Sequence, residues 1–267
     1  MQLLRDLVLT LDAWAGVPLR LRTALYTTDP VNLGSGNGVY DATEWSATRQ
    51  KGNKSYGTDG TQYDSEEKYL QYAFGLESYR IVSAILLANR FNLADYGRVL
   101  ELGCGDMVQS FVLKRRFPQL RLVATDYDPY VIERCGRLQV LDGIEKRVLD
   151  VLKIPDSDNP FADTDLIMSW GLDYAIDDDQ FLDLLGIVKR AGVPYLMCSP
   201  TVAGPIKHGI HFLRKILVSR RLVEEKQLRM HGWQRTAGCF LKMAARARMQ
   251  TTIVGQRGAY FCILFTA

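Results

Sequence analysis

Three carboxylates stand at the ends of three successive apolar runs. Glu101 closes the run Arg98–Leu102, just ahead of Gly103-Cys104-Gly105-Asp106. Asp126 follows Arg121–Thr125, and Asp150 closes Arg147–Val151. In an open α/β sheet, ligands bind outside the carboxyl ends of the strands, so three acids in register there outline one site. Glycines at 103 and 105 permit a tight turn and let a ligand approach backbone N–H groups. The dinucleotide fingerprint needs one more glycine, and that position is Val108. A carboxylate at the loop mouth, Glu101, repels a pyrophosphate but helps hold an ammonium or another cationic group. Asp126 lies 21 residues beyond Gly105, where an acid accepts hydrogen bonds from ribose hydroxyls. Asp150 is placed to meet an adenine amino group.

The stretches VLELGCGD, VATDYD, LDVLKIP and DLIMSWGLDYAIDDDQF resemble the class I S-adenosylmethionine-dependent methyltransferases over roughly residues 95–200. The resemblance implies that Gly103, Cys104 and Gly105 approach the methionine part of S-adenosylmethionine, with Glu101 supporting that end. It implies that Asp126, with Tyr127 beside it, binds the ribose. Asp150 and the backbone of Val151 would recognise the adenine, and Ser169 and Trp170 would lie near the transferred methyl. Met107 stands where many members carry a third glycine, which implies altered packing at the start of the following helix. Methyl transfer from a sulfonium is an in-line displacement whose main demand is alignment.

On the acceptor side, Asp173 and Tyr174 follow the fourth apolar strand. Asp173 is a candidate general base or orienting group, in a place where similar enzymes often carry a His pair. His208 and His211 in KHGIHFLRK form an i, i+3 pair without a third ligand, so no metal site is expected. His208 is instead a candidate substrate contact. His231 in MHGW is equally open. Asp177–Asp179 reads as a helix N-terminus, where acids suit the dipole.

These residues need a scaffold, and the chain alternates strand and helix to provide one. Strands are predicted at Arg98–Leu102, Arg121–Thr125, Arg147–Val151, Leu166–Trp170 and Tyr195–Ser199. Helices are predicted over Met107–Phe117, Tyr130–Leu138 and Phe181–Ala191. Continuous apolar strands between helices argue for a parallel sheet covered on both faces. Thr251–Val254 and Tyr260–Thr266 are separated by only five residues, too few for a crossover helix, so they form an antiparallel hairpin. The expected fold is α/β: a Rossmann-like, mostly parallel seven-stranded sheet, helices on both faces, a C-terminal antiparallel hairpin and an N-terminal helical and loop cap.

The cap is residues 1–74, and the methyltransferase domain is residues 75–267. Residues 1–15 place Leu3, Leu4, Leu7, Val8, Leu11 and Trp14 at helical spacing. Such a stripe packs on its parent domain or lies on a membrane surface. Residues 30–63 are rich in Gly, Ser, Thr, Asn and Tyr and read as either a functional lid or a disordered loop. Tyr56, Tyr63 and Tyr72 are the aromatic residues expected in the N-terminal segment that folds over the cofactor. Asp64 with Glu67 resembles a capping box, opening a helix that continues to about Phe91.

Across 267 residues, hydrophobic side chains make up 47% and charged ones 24%, which excludes whole-chain disorder. Five scattered cysteines fit reduced thiols in a cytoplasmic protein. No apolar run reaches the length of a bilayer span, and the N-terminus does not read as an export signal. Net charge is +3, but residues 201–267 hold twelve Lys or Arg against two acids. Part of that excess is a basic amphipathic insertion at about 205–233, with Lys207, Arg214, Lys215, Arg220 and Arg221 beside apolar residues. The segment suits a phosphorylated, lipid-linked or otherwise anionic acceptor, or peripheral membrane contact. Nothing suggests DNA, and RNA ranks below a small or lipid-linked acceptor because no aromatics interleave with the bases. The expected function is methyl transfer to a small molecule, such as a glycan or secondary-metabolite intermediate. The alternatives are a nicotinamide-dependent oxidoreductase and a non-catalytic binding protein on the same fold.

Overall fold

Apolar runs too short for core helices, each closed by turn residues, become the strands of one sheet. The computed structural model describes residues 20–26, 63–75, 84, 87, 91–154, 159–199, 228–257 and 260–267. In chain order the strands are β1 (Arg20–Tyr26), β2 (Arg98–Leu102), β3 (Arg121–Asp126), β4 (Ile144–Val148), β5 (Leu166–Trp170), β6 (Tyr195–Ser199), β7 (Leu228–Arg235), β8 (Gln250–Arg257) and β9 (Tyr260–Thr266). The α-helices are α1 (Glu66–Gly75), α2 (Val108–Arg116), α3 (Pro129–Gly136), α4 (Leu172–Ala175), α5 (Asp178–Ala191) and α6 (Ala237–Ala247).

The main sheet has seven strands in the order β4-β3-β2-β5-β6-β9-β8. The first five run parallel, and β9 joins β6 and β8 antiparallel. This is the expected Rossmann-like sheet with its C-terminal hairpin. The central strands β2, β5 and β6 are buried almost throughout, as apolar strands covered on both faces must be.

One face of the sheet packs Leu102, Ile167 and Met197 against Phe181, Leu184 and Val188 of α5 and Phe240 and Met243 of α6. Aromatic rings tie this layer to the hairpin, with Phe181 and Phe240 centroids 5.7 Å apart and Tyr195 stacked on Phe265 at 5.6 Å. Such contacts each add about 0.5–1.5 kcal/mol beyond burial and fix the position of β6. The other face packs Val99, Leu122 and Met168 against Tyr69 of α1, Phe111 of α2 and Val131 and Cys135 of α3.

Several local expectations shift. The third parallel strand is Ile144–Val148, not Arg147–Val151. It starts directly after Gly143, whose φ of +78° turns the chain. Asp150 therefore lies two residues past the strand, in a turn where its Oδ1 accepts from Leu152 N at 3.1 Å. The first helix is capped by Ser65, whose Oγ accepts from Lys68 N at 3.2 Å. Asp64 instead pairs with Lys68. The expected boundary at residue 74 falls inside α1. Asp177 does cap α5 through a complete capping box with Gln180.

A second, two-stranded sheet pairs β1 antiparallel with β7. The insertion expected at 205–233 thus ends in a strand, and that strand joins the N-terminal segment. Residues 1–15, Tyr56 and the rest of 27–62, and residues 200–227 with His208 and His211 lie outside the described residues. Among the described residues, no helix is long and apolar enough to cross a membrane.

Candidate functional site

The loop after β2 turns tightly through left-handed backbone. Gly103 and Gly105 have φ of +64° and +55°, and Met107, with a side chain, follows at +59°. Alternate residues in the left-handed region fold the chain tightly, leaving five residues between β2 and α2. Met107 is fully buried, and its packing holds a conformation that costs an ordinary residue about 1–2 kcal/mol. Its side chain fills space in the core.

The neighbouring strand end secures the loop. Cys104 N donates to Thr125 O at 2.8 Å. Gly105 N donates to Asp126 Oδ2 at 3.0 Å, and Asp128 N donates to Asp126 Oδ1 at 3.1 Å. Asp126 is thus a buried carboxylate held by two backbone donors. From the other side, α1 reaches Asp106: Tyr69 Oη donates to its carbonyl at 2.9 Å and Tyr72 Oη to its carboxylate at 2.5 Å. Tyr72 therefore touches the loop. Tyr69 does the same, without having been singled out in the sequence. Tyr63 lies elsewhere, facing the Arg134 guanidinium at 5.3 Å.

Glu101 is fully buried on β2. One carboxyl oxygen accepts from Ser110 Oγ on α2. The other, Oε1, has no hydrogen-bond partner among the described residues. Burial pushes its pKa up to about 8, the Ser110 bond opposes this, and Asp106 and Asp126 raise it further. The folded state therefore holds this proton more tightly than the unfolded chain. Its stabilisation is complete below the ordinary value of 4.5 and is lost as pH rises toward about 8. In Glu101→Gln that dependence is expected to vanish, so melting curves of variant and parent should diverge in the variant's favour across this window. Parallel curves would show that Glu101 is ionised throughout.

After β5, Gly171 (φ +71°) opens α4. Asp173 in its first turn is fully buried. Its Oδ2 accepts from Ser199 Oγ at the end of β6 at 2.6 Å, and its Oδ1 has no hydrogen-bond partner among the described residues. Burial raises its pKa to about 6, against the lowering effects of Ser199 and Arg235. Tyr174 follows in α4. Ser169 is also buried, and its hydroxyl is engaged by Tyr195 Oη at 2.6 Å. Trp170 ends β5 with its indole N–H buried and unpartnered.

Among the described residues, three buried polar atoms on or just after β2 and β5 lack a hydrogen-bond partner: Glu101 Oε1, Trp170 Nε1 and Asp173 Oδ1. Buried polar atoms without partners are costly and mark places where a ligand or water completes the hydrogen bonding. Asp150 is farther out, three-quarters buried and paired with Lys153 at 3.1 Å. Val151 packs in the core beside it, and Tyr127 is half-buried next to Asp126. Among the described residues no cluster of His, Cys, Asp and Glu is arranged to hold a metal. The orphaned acceptor on Glu101, the left-handed glycines and the buried Asp126 suit a cationic amino acid joined to a nucleoside.

Arg235 has no sequence signal as a site residue. It is one of twelve bases in a positive tail, yet it is fully buried. Only the fold reveals that it reaches α4.

No family model matches the chain. Ribosomal RNA small subunit methyltransferase C of Stutzerimonas stutzeri (strain A1501) is 40% identical over 67 residues, 25% of this chain and 20% of that protein. Among solved structures, human N-acetylserotonin methyltransferase in complex with SAM gives a TM-score of 0.54 at 18% identity, covering 77% of this chain and 57% of that one. The S-adenosylmethionine-dependent methyltransferase SibL in its apo form gives 0.53 at 18% identity, covering 75% and 58%. Mitomycin 7-O-methyltransferase MmcR gives 0.52 at 15% identity, covering 85% and 69%. The chain thus spans a fifth of the curated relative and less than two thirds of the first two structures. Its fold is that of the class I S-adenosylmethionine-dependent methyltransferases.

Proposed function

We propose that this chain transfers a methyl group from S-adenosylmethionine to a small-molecule acceptor. The observation that carries the reading is the set of orphaned buried polar atoms on or just after β2 and β5, together with a loop whose left-handed glycines admit a ligand to the backbone. A fold shared with enzymes of this reaction supports it by analogy. When bound, the cofactor supplies an already activated methyl on a sulfonium. The chain has to align and enclose.

In this reading, Gly103, Cys104 and Gly105 line the methionine part and Glu101 supports its ammonium end. Asp126, fixed by Gly105 and Asp128, accepts from the ribose beside Tyr127. Asp150 and the backbone of Val151 read the adenine. The backbone of Ser169 and the indole of Trp170 border the methyl. Asp173 orients the acceptor and takes its proton, with Tyr174 beside it in sequence and His208 as a further contact. Residues 1–74 form the cap and residues 75–267 the catalytic domain.

A finer reading gives the acceptor an anionic or lipid-linked group, held by Lys207, Arg214 and Arg220 of the basic insertion, in a cytoplasmic enzyme. The small-molecule class is favoured because the N-acetylserotonin and mitomycin enzymes bear such names, whereas the match to a ribosomal RNA enzyme spans only 67 residues.

Calorimetric titration with S-adenosylhomocysteine tests the cofactor assignment, with NAD as control. Micromolar binding of S-adenosylhomocysteine alone is expected, and Asp126→Ala should weaken it by about 1–3 kcal/mol, or about 5- to 150-fold. Equal affinity in the variant removes Asp126 from the site. No binding by the parent favours the scaffold alternative, and NAD binding favours the oxidoreductase. Release of S-adenosylhomocysteine over phenols, aromatic amines, carboxylates, a polyprenyl-phosphate sugar and a short RNA then identifies the acceptor class.

A further inference from the structure

A four-residue helix cannot hold its own shape, because nucleation costs more than one turn of hydrogen bonds returns. The turn α4, which carries Asp173, is such a helix. Its carbonyls find their partner in a side chain from a different sheet. Arg235, the last residue of β7, is fully buried with its guanidinium spread over three acceptors. One terminal nitrogen donates to Asp173 O, the other to Ile176 O at 2.9 Å, and Nε donates to Asp178 Oδ1 at 2.9 Å. Its cationic carbon sits over the Phe181 ring at 5.9 Å.

We propose that Arg235 is a positioning residue for the acceptor side of the site, clamping α4 between β7 and α5 so that Asp173 is held with one carboxyl oxygen on Ser199 and the other uncommitted. This rests on the role proposed above for Asp173. The planar fork makes the arrangement specific, since three acceptors in three directions match a guanidinium and not an ammonium. The clamp also has a reach that the catalytic sheet alone lacks. At the end of β7, Arg235 pairs with Arg20 of β1, so the N-terminal strand and the acceptor turn share one anchor.

A merely structural arginine would lose stability on replacement and leave the Asp173 carboxyl as it was. A clamp changes that carboxyl. The groups facing or influencing it are Ser199, Tyr195 and Cys198 from β6 and Arg235 from β7, with Asp178 of α5 engaged by Arg235. The test is a carbon-13 titration of the aspartate carboxyls in the full chain, with the Asp173 resonance assigned by its loss in Asp173→Asn. The parent midpoint is expected near the value of about 6 that burial sets. Arg235→Gln should raise it by about one pH unit, because a nearby cation is gone. Asp178→Asn, which removes an anion and leaves the guanidinium, should not raise it.

An unchanged midpoint in folded Arg235→Gln overturns the proposal, as does an equal rise in Asp178→Asn. If Arg235→Gln does not fold, Arg235→Lys decides. Lysine keeps the charge but cannot span the acceptors, so the Asp173 resonance must still move, and an unmoved resonance overturns the clamp. Binding of S-adenosylhomocysteine by the parent is measured separately. Its absence would count against the methyltransferase reading while leaving the Arg235–Asp173 coupling legible.

Discussion

Gly105→Val is expected to lower affinity for S-adenosylhomocysteine by about 100-fold or more. Gly105 sits at φ +55°, where a branched residue is strained by about 1–2 kcal/mol. Relief of that strain rotates the amide that donates to Asp126 at 3.0 Å, which adds the loss of a charge-assisted hydrogen bond. The ligand would meet both a displaced carboxylate and a side chain where it needs bare backbone. Gly192→Val is the matching control. Gly192 has φ +69°, with open space where a Cβ would stand, and it caps α5 far along the chain from the loop. Both variants should lose similar stability in a denaturant titration, and only Gly105→Val should lose the ligand. Comparable affinity in the two would mean that the loop is strained for packing alone.

That contrast also indicates what sequence can reveal. The parallel strands at Arg98–Leu102, Leu166–Trp170 and Tyr195–Ser199 are legible because burial on both faces demands unbroken apolar runs. The hairpin is legible from the short gap between its strands. β4 is less so. It is an edge-ward strand with exposed Glu145 and Arg147, and without a continuous apolar run its boundary slid three residues toward Asp150. The acids Glu101 and Asp126 are legible because they terminate buried strands. Their states are not, because a pKa of about 8 for Glu101 depends on how completely the core excludes water. Tyr69, Ser199 and Arg235 are illegible for a different reason. Each acts across a long stretch of chain, on Asp106 or Asp173, and no local spacing encodes such a contact. The β1–β7 ribbon fails for the same reason: its strands lie some 200 residues apart.

Asp173→Asn is expected to cut acceptor turnover by about 10²–10⁴-fold, the usual range for a positioned acid or base, with any hydroxyl or amine acceptor that the parent methylates. Asparagine keeps the shape of the side chain and can still meet Ser199, so the fold and S-adenosylhomocysteine affinity should persist. The parent's rate should rise with pH through about 6 and then level, because only the ionised carboxylate accepts a proton and burial holds its pKa there. The sign for stability is opposite. A folded pKa raised from 3.8 to about 6 means that Asp173 favours the fold below 3.8 and loses that contribution as pH climbs to about 6. Activity therefore grows over the same interval in which this group ceases to stabilise, the pattern expected of a carboxylate kept buried for chemistry rather than for structure. In Asp173→Asn both dependences should disappear together. Full turnover in the variant, or a parent rate that is flat through this interval, would assign proton removal to another group and leave Asp173 as part of the scaffold around Arg235.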